Sequence, residues 1–407
     1  MKKLHQSLFF LLLIFLPVQL GKHFWPHFSL VFGIRIDYLA PTLFLTDLLV
    51  IGLLVTWFLE MRKKKIKITR QLKGYWWLGA VFVFLLLNSF LAQNQGAAFY
   101  QLVKIIEFSL LGFYLAKNNY PLEAIRYPLA MAVVYSSFIA LAQFLKQASL
   151  NGIFWWLGER SFNAFTPGIA QAVWDGQLIM RPYATFPHPN VLAGFILISL
   201  ILIVTSRTKR TKTQLIKWLT FFLGVGIIFL SLSRTVWLVG TLVLFPLSAS
   251  FLAKKRRLWA ISLTIILSLC FLWLGTHLGM EEAISRRFQL NQVAVEMIRE
   301  NPLIGIGLNN FISRLPDYWQ TSEAVRFLQP VHNLFLLVAA ETGLIGLLIF
   351  LWFLVLTFKK LLMTDNRLLI IALSAILALG LFDHYWLTLQ QSQLLLTLVL
   401  GLSWAKP

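Results

Sequence analysis

Charge and cysteine are what this sequence has least of. Only 13% of its 407 residues are charged, and Cys270 is its one cysteine. A soluble domain carries about a quarter charged residues, so this chain cannot coat a water-facing surface in the usual way. A lone thiol excludes a disulfide framework and a cysteine-based metal site. No Gly/Ser-rich linker sets a soluble domain apart, and no solenoid period is present. No His, Asp or Glu cluster shows metal-ligand spacing, so nothing in the sequence calls for a divalent ion; the expectation is no metal and no cofactor. Gly305-Ile306-Gly307 lacks the preceding strand of a dinucleotide site and reads as a turn.

Apolar length is what the chain has in excess. It is 58% hydrophobic, with a mean hydropathy of +0.74. Runs of membrane-spanning length lie at about 8–20, 40–60, 74–92, 97–116, 126–146, 188–205, 218–232, 234–253, 258–278, 332–357, 368–384 and 387–404. The first, behind Lys2 and Lys3, resembles a signal peptide, but Pro17-Val18-Gln19-Leu20 offers no small-residue cleavage site, so it reads as a retained helix. The expected fold is an all-α polytopic membrane protein, a single domain over 1–407 with about twelve transmembrane helices. The formal net charge of +20 would suggest nucleic acid in a soluble chain. Here the bias of basic residues toward cytoplasmic loops explains it, and no nucleic-acid partner is expected.

That bias also orients the chain. With the N-terminus cytoplasmic, about 24 of the 36 Lys and Arg fall on the inner side and about 11 on the outer. Both termini are then cytoplasmic. Two long connections, 147–187 and 279–331, face outward, and they hold half of the 16 acids. Within the second, Leu290, Val293, Ala294, Met297 and Ile298 share one helical face and Gln289, Gln292, Glu296 and Arg299 the other. The spacing predicts an amphipathic helix over 283–300, able to lie on the membrane or pack across the bundle, and stopped by Asn301-Pro302.

Several residues at the outer rim could carry chemistry. Arg181 opens a proline-rich segment before an apolar run, where Asn190 is placed to cap the next helix. Arg234 sits between two apolar runs with almost no loop, and a charge at membrane depth is by default a functional candidate. Guanidinium suits phosphate because it donates in a planar fork. His332 opens the tenth run, where an imidazole can take a proton from an attacking hydroxyl or orient it. Each also has an ordinary structural reading: a snorkelling arginine, a tight-turn arginine, an interfacial histidine. Asn333 also reads as a helix start alone, and for Glu341 helix packing is the stronger reading. Asp47, Lys104, Glu107 and Asp383 lie in or at the ends of spans, where mutual pairing and transport are both open.

The order of these motifs resembles the O-antigen ligase and O-antigen polymerase family. The matching pieces are Arg181-Pro-Tyr-Ala-Thr-Phe-Pro-His-Pro-Asn190 before a helix, Ser233-Arg234 at an outer turn, the stretch from Ala294 to Gly307, and His332-Asn333 followed by Ala340-Glu-Thr-Gly-Leu-Ile-Gly346. The resemblance implies a GT-C-like, inverting, metal-independent glycosyltransferase. Its donor would be a glycan on undecaprenyl pyrophosphate, its acceptor lipid A-core or another glycan, and its setting the lipid bilayer of the cytoplasmic membrane. By the same resemblance Arg181 and Arg234 would hold the pyrophosphate and His332 would be catalytic. Asn190, Asn333, Arg287 and Glu341 are candidate supporting residues. Ala184 stands where the family usually has glycine, and His188 where a small or polar residue is typical. A polymerase of the same family is the alternative, and a flippase for lipid-linked sugars is the alternative from another class.

Overall fold

The computed structural model describes residues 2–65, 77–174, 176–204, 211–249, 281–319 and 327–405. It is mostly helical. The helices are α1 (Lys2–Ile14), α2 (Leu45–Lys63), α3 (Trp77–Leu91), α4 (Gln95–Asn118), α5 (Leu122–Lys146), α6 (Pro189–Val204), α7 (Thr211–Leu230), α8 (Arg234–Ala249), α9 (Glu281–Glu300), α10 (Phe311–Tyr318), α11 (Leu334–Met363), α12 (Arg367–Gly380), α13 (Tyr385–Thr388) and α14 (Gln390–Ser403). Every expected apolar run coincides with a helix except 258–278, which lies outside the described residues. Among the described helices, α4, α5 and α11 are long and apolar enough to cross a bilayer, and six more are apolar but shorter. This is an all-α membrane protein, trimmed by three short antiparallel strand pairs: Gly21–His23 with Thr42–Phe44, Leu30–Val31 with Ile34–Arg35, and Gln171–Trp174 with Gln177–Met180.

Burial follows the hydrophobic pattern of each helix. In α6, residues from Val191 to Ile203 are buried on every side, as expected of a helix that is apolar all round. It contacts α5, α7, α8, α12 and α14 and forms the axis of the bundle. By contrast α3 exposes Leu78, Phe82, Val83, Leu87 and Leu91, and α11 exposes Leu344, Leu348, Leu351 and Val355. Apolar stripes of that length are surface that a bilayer covers.

The amphipathic helix chooses the bundle. In α9, Leu290, Val293, Ala294 and Met297 are buried, while Gln292, Glu296 and Arg299 are exposed. Its apolar face joins a second core with Phe311, Leu315, Val331, Leu337 and Ala340, closed by Val31, Ile36 and Leu39 from the α1–α2 connection.

The chain after α9 docks into a break in α11. Gly343 has φ 67° and ψ −175° in the middle of that helix, a region open in practice to glycine alone. The break frees the Ala340 and Glu341 carbonyls, which accept from Ile306 N (2.9 Å) and Gly307 N (2.9 Å). Asn88 Nδ2 also donates to the Glu341 carbonyl, at 3.1 Å. Backbone freed at membrane depth must be satisfied in this way. Gly305-Ile306-Gly307 is therefore more than a turn, since the N–H groups of Ile306 and Gly307 repair the broken helix.

Charges inside the spans pair with one another. Lys104 Nζ lies 2.7 Å from Asp47 Oδ1 and 2.9 Å from Glu107 Oε2, and Gln390 Nε2 donates to Asp47 as well. Of Asp47, Lys104, Glu107 and Asp383, Asp383 alone stands apart from this group.

Candidate active site

Arg181 is built into a strained but well-tied loop. Ala184 has φ 51°, the left-handed conformation that explains why glycine is expected there. Alanine holds it because Gln143 grips the backbone: Gln143 Oε1 accepts from Tyr183 N (3.1 Å) and Ala184 N (2.7 Å), and Nε2 donates to the Ala184 carbonyl at 2.9 Å. Glu159 Oε1 in turn accepts from Gln143 Nε2 at 2.7 Å. Arg181 itself is 3% exposed. Its Nε donates to the Ser231 carbonyl at 2.6 Å and its Nη2 to Asn190 Oδ1 at 2.6 Å. Burial first, then the positive charges of Arg287 and Arg234, bring its pKa down to about 10, so it remains a cation at neutral pH.

The Ser231 contact places Arg181 beside Arg234. The turn between α7 and α8 reverses through Leu232 at φ 52°. It is pinned by Ser231 Oγ donating to the Ile228 carbonyl (2.6 Å) and by Trp237 Nε1 donating to the same carbonyl (2.8 Å). Arg234 follows at the start of α8. Its Nε and Nη2 are buried and have no hydrogen-bond partner. A buried charged donor without a partner is costly, and such a group is suited to an anion that arrives later.

Asn190 links the arginines to the histidine. The expectation that it caps α6 is corrected: the helix begins one residue earlier, at Pro189, which is favoured in the first helical position. The side chain is therefore free to accept from Arg181 and to donate to Asp383 Oδ2 at 3.5 Å, while its N–H donates to His188 Nδ1 at 3.1 Å. Asp383 Oδ1 accepts from His384 N at 2.9 Å. The ligand-type atoms of His332, Asp383 and His384 all lie within 4.8 Å of one another, and the His332 and His384 rings meet edge to face at 5.1 Å.

Arg287 belongs to the same group. Its charge acts on Arg181, Arg234, His188, His332, Asp383 and His384. No ion pair engages Arg181, Arg234 or Arg287 among the described residues, and Asp383 is the acid at the centre. Burial lowers the pKa of His332, with Arg287 adding to it and Asp383 opposing it. His188 and His384 are lowered by burial to about 3. Burial pushes Asp383 upward, but the surrounding His332, His384 and Arg287 outweigh it and leave its carboxyl below the ordinary value. His332 is thus neutral at pH 7, with a buried Nδ1 that has no partner.

Two of the expected supporting residues have other work. Asn333 caps α11, its Oδ1 accepting from Phe335 N (2.9 Å) and Leu336 N (3.0 Å). That cap fixes the backbone next to His332. Glu341 lies more than two turns along α11 and accepts from Phe311 N at 3.3 Å, so it anchors the 301–311 segment rather than the site. Sequence reasoning missed His384 and gave Asp383 no specific role. Both precede α13 on the side shared by His332, and that shared side is the signal that could have found them. An open groove of about 350 Å³ lined by Phe28, Gln93, Asn94, Gln95, Gly96, Ser313 and Asp317 includes none of these residues.

Fold and site together define an integral membrane protein in which a group of arginines is linked through Asn190 and Asp383 to a neutral histidine. A family model described as O-antigen ligase matches residues 219–351, and this match supports the O-antigen ligase/polymerase family. The matched stretch takes in Arg234, Arg287 and His332 and leaves out Arg181, Asn190 and Asp383. No curated protein matches the chain. The family implies glycan transfer between a lipid-linked glycan and an acceptor.

Proposed function

We propose that this chain is a polytopic, GT-C-like glycosyltransferase of the cytoplasmic membrane, with about twelve spans, both termini inside and its site on the outer face. It moves a glycan from an undecaprenyl-pyrophosphate carrier to an acceptor hydroxyl with inversion and without a metal. The acceptor is lipid A-core or another glycan in a ligase. The observation that carries this reading is that Arg181, which feels the charges of Arg234 and Arg287, is linked through Asn190 to Asp383 beside His332, with two donors of Arg234 left unpartnered.

In this mechanism the arginines hold the pyrophosphate. The acceptor oxygen attacks the anomeric carbon from the opposite face, a new C–O bond forms, and the C–O bond to pyrophosphate breaks. His332 takes or orients the acceptor proton, and the arginines stabilise the negative charge that grows on the leaving group. Stabilising developing charge with preorganised donors is where catalysis gains most. A polymerase would use the same clamp with a second lipid-linked glycan as acceptor. The pairing of Lys104 with Asp47 and Glu107 satisfies three charges within the spans that a flippase could otherwise use, and so favours an enzyme.

The test is glycan transfer by purified protein with a lipid-linked donor, offered lipid A-core or a second lipid-linked glycan. Arg181→Ala and His332→Ala should each lose most of the rate. Near-normal transfer in both would sink the mechanism, and lipid flipping without transfer would favour the transporter.

A further inference from the structure

The transfer mechanism uses His332 but gives no role to Asp383 and His384, and the three together present a donor set. Two imidazoles and a carboxylate suit a borderline transition-metal ion such as Zn²⁺, which in open sites takes three protein ligands and one exchangeable position. The ligand atoms lie within 4.8 Å of one another. A tetrahedral ion with bonds of about 2.0–2.1 Å needs them roughly 3.3 Å apart, so small side-chain rotations close the site. Those rotations are available, because His332 and Asp383 are only half-buried and His332 Nδ1 is unpartnered.

The surrounding contacts are those of a ligand set. His384 Nδ1 lies 2.7 Å from Thr388 Oγ1. With the proton on Nδ1 this bond leaves the Nε2 lone pair free, the usual way a ligating histidine is oriented. Asp383 is aimed by His384 N at 2.9 Å and by Asn190 Nδ2 at 3.5 Å. Against binding stands the positive charge of Arg287, which acts on all three residues. It weakens the hold on a dication and makes the ion a reversible ligand rather than a resident one.

We propose that His332, Asp383 and His384 form a binding site for a transition-metal ion of the Zn²⁺ class, and that its occupancy silences glycan transfer. A histidine whose lone pair is donated to a metal cannot also take the acceptor proton, so occupancy and transfer exclude one another. The silencing half rests on the assignment of His332 to the acceptor; the binding half does not.

Co²⁺ is the probe for binding, added to the full-length protein in detergent without donor or acceptor. The unmutated protein should show the visible absorption of low-coordinate Co²⁺ at one ion per chain, displaced by Zn²⁺. His384→Ala removes a ligand and should weaken binding more than Thr388→Val, which should cost about tenfold. In the transfer assay Zn²⁺ should inhibit, EDTA should restore the rate, and each variant should shift the inhibition midpoint by its own loss of affinity. The absence of the Co²⁺ band in the unmutated protein overturns the site even where the variants fail to fold. An unchanged band in folded His384→Ala overturns it too, by placing the ion elsewhere. Loss of transfer on EDTA treatment overturns the silencing role, since the ion would then be required. A true metal site on a protein that transfers no glycan would still give the band, so the two assignments fail separately.

Discussion

Replacing Arg234 with methionine should make the unliganded protein no less stable while removing most of its activity. Nε and Nη2 of this side chain are buried and unpartnered, although the residue as a whole is half-buried. An unpaired buried donor costs about 1–3 kcal/mol. Partial exposure screens that cost, so the expected relief on substitution is roughly 1 kcal/mol. Methionine keeps an unbranched apolar stem in place of arginine's, without the guanidinium head, and brings no charge. The loss on the catalytic side is larger. If both donors bind the leaving pyrophosphate, two charge-assisted hydrogen bonds worth about 1.5–3 kcal/mol each disappear. Transfer then falls by roughly 10²–10⁴-fold. Arg234→Lys should fall between the two proteins, since it keeps the charge but not the fork. The assay pairs a thermal melt in detergent with single-turnover transfer from a lipid-linked donor. A methionine variant that melts well below the parent and loses activity in proportion would refute the reasoning, because the arginine would then be structural. A rate within about threefold of the parent, a difference under 1 kcal/mol, would refute it from the other side.

Three further outcomes follow from the geometry. The transfer rate should survive acidification through pH 6.5, the ordinary histidine value, and fall only below it, because burial and Arg287 lower the pKa of His332 and the neutral imidazole is the proton acceptor. A pH–rate profile with its acid limb at or above that value would count against His332. Gly343→Ala should destabilise the protein by about 1–3 kcal/mol from backbone strain alone. A β-carbon there would also lie 2.2 Å from the Leu303 carbonyl oxygen, so an unchanged melting temperature would contradict the docking of 301–307. Ala184→Gly should stabilise the loop or leave it neutral, since relief of the left-handed strain, about 1–2 kcal/mol, is offset by glycine's entropy. A loss of more than about 1 kcal/mol would show that the alanine methyl packs in a way φ does not explain.

Much of this protein follows from periodicity and charge. The apolar runs predict the described helices because a span must satisfy its own backbone. The amphipathic face of 283–300 predicts which side of α9 is buried, because water and apolar core sort side chains at helical spacing. Arg234 is legible as a candidate because an arginine between two apolar runs has few inexpensive places to go. Asn190 is an instructive failure, and Glu341 a packing residue whose partner the sequence did not name. A one-residue shift of the helix start turns Asn190 from a cap into the link between Arg181 and Asp383. Glu341 stays in its helix, and its carboxylate accepts from Phe311 N of the segment docked at the glycine break two residues on.

By itself, then, the sequence determined that the chain lives in a membrane, where its helices lie and which few polar residues resist a purely structural reading. All of these are consequences of local composition and spacing. The tertiary structure alone decided that Asp383 and His384, some fifty residues beyond His332, complete its surroundings, that Arg287 presides over the same cluster, and that Lys104 is neutralised by Asp47 and Glu107. Contacts between connections far apart in sequence depend on which helix ends share one end of the bundle, and packing sets that where no local pattern can.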